Sequence, residues 1–346
     1  MLLQLPNLGV NDSYKSLIYF RGIHSSLPKL TVSGLKAYYM TEPGPLQAVD
    51  GVNFELENNE TIGIVGESGS GKSSLGAALI RSMQPPGRFV DGYIRLGETD
   101  ITKMQDSSFT RDMRWKRIAI VFQGAMNALD PVYTVESQLM EILREHGIEE
   151  AHWNEKIAES LESVGLDLSV GKKYPHELSG GMKQRVVIAM AIILRPELLI
   201  ADEPTTALDV LIQKKIIELL KKVQDERQMK IVLISHDLAL VSMIADKIGI
   251  MYAGQLVEIA SAKEIYKNPM HPYTQDLIKA IPRLHSKEKK IHFIPGQPPN
   301  LVSPEDGCRY YPRCAYAMEK CKKPVPEFPT PTGYVRCWLY DDLPKN

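Results

Sequence analysis

The chain has 346 residues, 44% of them hydrophobic and 24% charged, with a formal net charge of −1. That allows about two domains with proper cores and excludes wholesale disorder. It also argues against nucleic-acid binding driven by a large basic field, though not against a local basic patch.

Residues 1–29 show no firm periodicity and read as an N-terminal extension. A proline, an asparagine and an aspartate stand where a signal peptide would carry its apolar core. From KLTVSGLKAYYM to NNETIGIVG, short strands broken by Gly, Pro and Asn turns are expected. TIGIV, RIAIVF, ELLIA and KIVLIS are short apolar runs of the kind buried on both faces of a sheet, and helical stretches separate them. This pattern predicts βαβ units and a mostly parallel sheet. Residues 135–178 read as mostly helical and polar, an inserted lobe. The densest apolar run, Val186–Leu194, is about half the length of a membrane-spanning helix, so a cytosolic chain is expected. Beyond about Arg283 the composition turns proline-rich, which predicts a loop-rich attachment with little core of its own. All four cysteines lie there, Cys308, Cys314, Cys321 and Cys337, spaced C-x5-C-x6-C-x15-C. In a reducing compartment such a group points to metal rather than to disulfides.

Two motifs carry chemistry. Gly66, four residues on, is followed by Gly71, Lys72 and Ser73, directly after a strand-like run and before a helix-like one. Glycines let backbone N–H groups close around phosphate, and the following helix aims its positive end at the same anion. Lys72 is expected to reach the β- and γ-phosphates and Ser73 to hold Mg2+. ELLIADEP places Asp202 and Glu203 at a strand end, where open α/β sheets bind ligands. Asp202 is the expected Mg2+ ligand and Glu203 the general base for water.

The stretch ELSGGMKQR, Glu177–Arg185, adds a family. Over about residues 30–282 the chain resembles the nucleotide-binding subunits of ABC transporters. The resemblance implies an α/β P-loop NTPase (ABC ATPase) core with an antiparallel β subdomain, a helical lobe at about 124–180 and a small C-terminal tail, 283–346, stapled by its cysteines. It implies ATP contacts from Gly66, Glu67, Ser68, Gly69, Ser70, Gly71, Lys72, Ser73 and Ser74, with Tyr39 stacked on adenine and Tyr38 its competitor. Gln123 matches the glutamine that contacts Mg2+ or the attacking water, Ala207–Asp209 the loop after the carboxylates, and His236 the histidine on the γ-phosphate. Glu203, His236, Gln123 and Lys72 are thus the expected catalytic set. In such proteins Ser179, Gly180 and Gly181 close the ATP site of a second subunit, so that ATP joins two subunits and hydrolysis parts them.

Rival ABC ATPases act in DNA repair, chromosome organisation and translation. The short stretch between Lys72 and Ser179, the single ATPase unit and the position of the cysteines after it all favour transport. GAMNALDPVYTV, HPYTQDLIKAIPR, IPGQPPNL and the cysteine tail resemble the dipeptide/oligopeptide importers. Gly124 and Ala125 depart from that pattern, which has an acidic residue and proline there, and Asp130 replaces an asparagine. The resemblance implies a second, related ATPase chain, two integral membrane permease subunits, an extracytoplasmic solute-binding protein and a seat on the cytoplasmic face of the membrane, with no nucleic acid. Peptides are the default cargo, then oligosaccharides, then nickel. The tail resembles a segment carrying a 4Fe–4S cluster; zinc is the runner-up, and disulfides or free thiols come third.

Overall fold

Two sheets organise residues 29–280 and 294–342, the part of the chain described by a computed structural model. The extension before Lys29 and the stretch around Arg283 lie outside it. Strands β1 (Leu30–Thr41), β2 (Gly44–Leu56), β4 (Gly87–Leu96) and β5 (Thr99–Asp100) form an antiparallel sheet in the order β2-β1-β4-β5. Strand β3 (Thr61–Val65) belongs to the larger sheet, with β6 (Ile118–Val121), β7 (Leu198–Asp202), β8 (Lys230–Ser235), β9 (Lys247–Tyr252), β10 (Gln255–Ser261), β11 (Phe328–Thr330) and β12 (Gly333–Val335). Its order is β11-β12-β10-β9-β3-β8-β7-β6, parallel from β9 to β6 and antiparallel beyond.

The four apolar runs became β3, β6, β7 and β8 because side chains alternate across a strand and both faces here are dry. On β7, Leu198 and Ile200 enter one core, shared with the helix Lys72–Leu79 and the antiparallel sheet, while Leu199 and Ala201 enter the other. The second core packs under the helices Val135–Glu145, Trp153–Ser163, Gly180–Ile192 and Val210–Arg227. Val135, Leu139, Ile142 and Leu143 recur at helical spacing, so the lobe is polar outside only. No helix among the described residues is long and apolar enough to cross a membrane.

The proline-rich tail is not a bare loop. Its hairpin β11–β12 pairs with β10 through Glu258–Val335 and Ile259–Tyr334 and so extends the main sheet. Its own core is small: Phe328, Val335 and Cys337, with Trp338 edge-on to Phe328.

Candidate functional site

Strand β3 runs into the phosphate loop, and the loop's glycines are steric necessities. A Cβ on Gly66 would stand 2.0 Å from the Met251 carbonyl oxygen. One on Gly71 would stand 2.0 Å from that of Ala48, and Gly71 holds φ +102°, where glycine is favoured. Gly71 opens the helix that begins with Lys72. Lys72 is buried, and its ammonium donates to the carbonyls of Gly66 and Glu67, both at 2.9 Å. Burial pulls its pKa down, opposed by Glu203, Asp202 and Glu67.

Ser73 Oγ donates to Asp202 Oδ1 at 3.2 Å. Burial raises the Asp202 carboxyl, with the Ser73 hydrogen bond pulling the other way. Glu203 sits at φ 46°, its N–H on the Ile234 carbonyl. Its carboxylate accepts from Thr206 Oγ1 at 2.9 Å and Gln123 Nε2 at 3.1 Å, and His236 Nδ1 stands 3.1 Å away. Burial works upward on Glu203, but its hydrogen-bond partners and the His236 and Lys72 charges bring it below the usual carboxylate range. Lys72, Ser73, Gln123, Asp202, Glu203 and His236, scattered through the sequence, therefore form one cluster at the ends of β3, β6, β7 and β8.

Neighbouring tyrosines on β1 face opposite ways. The Tyr39 hydroxyl lies 3.5 Å from Ser74 Oγ, behind the phosphate loop, whereas Tyr38 donates to Asp50 at 2.7 Å. Ser179 caps the helix Gly180–Ile192, accepting from the Met182 N–H at 3.3 Å. Ser179 and Gly180 are exposed, and no hydrogen bond among the described residues joins them to the phosphate loop. Beside the lobe, a groove is lined by Arg111, Trp115, Asp130, Tyr133 and His146, with Val132 and Tyr133 strongly exposed.

The four thiols, none in a disulfide, line one small enclosed cavity. Burial pushes Cys308 up to about 12 and Cys337 to about 11, and the neighbouring sulfurs push further the same way. His271 lines the same cavity. Its Nδ1 accepts from the Tyr273 N–H at 3.0 Å, so the proton rides on Nε2, which is buried without a partner. As the side chains stand, no three His, Cys, Asp or Glu among the described residues are placed to hold a metal ion. The donor chemistry, four thiols and a spare N–H around one enclosed space, still suits a sulfur-rich group.

Sequence reading missed Arg313. Its guanidinium grips the Glu67 carboxylate through Nη1 at 2.7 Å and Nη2 at 2.9 Å. Nothing in YPRC signals that contact, because its partner is 246 positions away.

A phosphate loop, a carboxylate pair at the next strand end but one and a serine-capped signature helix define an ATP-binding cassette, and the ABC transporter family model matches residues 49–206. A second model, the oligopeptide/dipeptide transporter C-terminal region, matches residues 257–321. The dipeptide transport ATP-binding protein DppD of Caldanaerobacter subterraneus subsp. tengcongensis is 41% identical over 318 residues, 90% of this chain and 97% of that protein. The oligopeptide transport ATP-binding protein OppD of Bacillus subtilis is 42% identical over 324 residues, covering 91% and 90%. Among solved structures, cbiO1 from Clostridium perfringens, part of the ABC transporter complex cbiONQ, superposes with TM-score 0.62 at 25% identity over 70% of this chain and 92% of that one. The chain belongs to the ABC transporter ATP-binding proteins, in the dipeptide/oligopeptide branch.

Proposed function

We propose that this chain is the ATP-hydrolysing subunit of an importer for dipeptides or oligopeptides. The observation that carries it is the carboxylate of Glu203, held by Gln123, Thr206 and His236 one residue beyond the Ser73–Asp202 pair. The cargo class comes from the relatives, which are peptide transport proteins along nearly their whole length.

Lys72 gives up the carbonyls of Gly66 and Glu67 for the β- and γ-phosphates. Apart from Glu67 and Ser70, whose N–H groups are held by the Tyr273 hydroxyl and the Glu67 carbonyl, the N–H groups from Gly66 to Ser74 wrap the same anion, and Tyr39 takes the adenine face. Ser73 and Asp202, with Gln123 beside them, would hold Mg2+, which offsets phosphate charge when bound. Glu203, ionised by its surroundings, takes the proton of the attacking water. His236, which stands beside Glu203, meets the γ-phosphate. Ser179 and Gly180 are open to solvent, with half-buried Gly181 beside them, because they serve a second, related ATPase subunit, whose own signature closes this one. We read the groove beside Tyr133 as the seat of a membrane permease subunit and the chain as lying on the cytoplasmic face of the membrane; a solute-binding protein outside would deliver cargo. Cys308, Cys314, Cys321 and Cys337 would hold a 4Fe–4S cluster, which would staple the tail; the unpartnered His271 Nε2 lines the same cavity.

Glu203→Gln tests the assignment. Turnover by the assembled transporter at this site should fall about 100-fold or more, while ATP binding by the purified chain persists. Turnover near the wild-type rate would remove Glu203 from the role of base.

A further inference from the structure

Glu67 is held at every polar group. Its N–H donates to the Tyr273 hydroxyl at 2.9 Å, its carbonyl takes the Lys72 ammonium at 2.9 Å, and its carboxylate takes both arms of Arg313. Tyr273 and Arg313 come from C-terminal segments; Lys72 belongs to the phosphate loop, whose Ser70 N–H also donates to the Glu67 carbonyl at 3.2 Å. Arg313 is in turn fixed from several sides. Nε donates to the Pro295 carbonyl at 2.7 Å, Nη1 also reaches the Tyr252 hydroxyl at 3.2 Å, and the cation lies 5.7 Å from the ring centres of Tyr252 and Tyr310. Its side chain is 4% exposed. A guanidinium so deeply placed is tolerated only while its partner stays, because losing the carboxylate leaves a buried charge unpaired. The two-pronged geometry fixes orientation as well as distance.

The seat of Arg313 belongs to the cysteine segment. It closes the turn Tyr311–Arg313 and precedes Cys314, which lines the thiol cavity. Arg309, on the same segment, donates to the Ala253 carbonyl and pairs with Asp50 at 2.6 Å. The adjoining Gly254 N–H donates to the Ser70 carbonyl at 2.8 Å, so the phosphate loop is tied a second time to the sheet region that the segment covers.

We infer that Arg313 is a positioning residue for ATP: through Glu67 it lets the C-terminal cysteine segment hold the phosphate loop in its nucleotide-binding shape. Arg313 touches no reacting atom; it acts on the residue whose carbonyl carries Lys72. The inference rests on the reading of this loop as the ATP site.

The test is a double-mutant cycle on the full-length chain, purified without oxygen, with ATP affinity read by equilibrium titration and ATPase rates in the assembled transporter. Arg313→Met and Glu67→Ala should each weaken ATP binding about tenfold, or about 1.4 kcal/mol. For Arg313→Met, KM should rise in step, with kcat changed by less than about twofold. The double variant should bind no worse than the weaker single one, because both remove the same contact. Arg313→Lys should recover part of the loss, since it restores charge but not the fork. Affinity within twofold of wild type in a variant that melts like wild type would overturn the inference, as would fully additive losses. If Arg313→Met does not fold, Glu67→Ala, altered at a quarter-exposed side chain, decides the matter by itself. Wild-type chain that fails to bind ATP would sink the reading of the site itself, a result distinct from equal binding by wild type and variant.

Discussion

Tyr38 and Tyr39 are adjacent in sequence and opposite in consequence. Strand alternation sends one to Asp50 and the other behind the phosphate loop. Tyr39→Ala should weaken ATP by about 1–3 kcal/mol, the usual worth of an aromatic platform under a base. Tyr38→Phe should leave affinity alone and cost about 1 kcal/mol of stability through its lost hydrogen bond. Nucleotide titration and thermal melting of both variants check this, and equal losses of affinity would undo the assignment. The same two candidates stood side by side in the sequence, where spacing cannot say which way a side chain turns. Glu203 is the contrary case. DEP after an apolar run marked it from the sequence, because the chemistry of the position requires a carboxylate at the end of a buried strand. Two of its three polar neighbours, Gln123 and His236, come from segments that sequence order does not connect; only Thr206 is local.

Strands differ in how plainly they announce themselves. TIGIV and KIVLIS coincide with β3 and β8 residue for residue, since central parallel strands need unbroken apolar character on both faces. The hairpin β11–β12 is only three residues a side and begins next to prolines, so no periodicity reveals it. Its existence depends on the free edge of β10, a tertiary fact. Gly333 is the tight point of that pairing: a Cβ there would stand 2.0 Å from the Ile259 carbonyl oxygen. Gly333→Val should therefore pry β12 from β10 at a cost of about 1–3 kcal/mol. Amide exchange at Tyr334 and Val335 should speed up while β7 and β8 stay protected. Unchanged exchange at the hairpin would mean that other contacts of the tail carry the docking.

At the scale of the whole molecule, the tail clasps the phosphate loop through Arg313 and Glu67 as well as extending the main sheet. A segment with three buried residues in its own core gains from an internal staple, and metal binding can supply folding energy. Chain purified without oxygen should carry about four irons and four acid-labile sulfides, the composition of a 4Fe–4S cluster on four thiolates. One zinc and no iron would make the cavity a zinc site and leave the ATPase assignment untouched. The clasp between Arg313 and Glu67 also has a consequence for how the protein comes into being. Ribosomes extend a chain at about 5–20 residues per second, so the 246 positions between the two residues take roughly 10–50 s to make. Throughout that interval the phosphate loop exists without its outer hold. On the inference above, a chain cut short before Arg313 would lack this clasp and hold ATP about tenfold more weakly, about 1.4 kcal/mol.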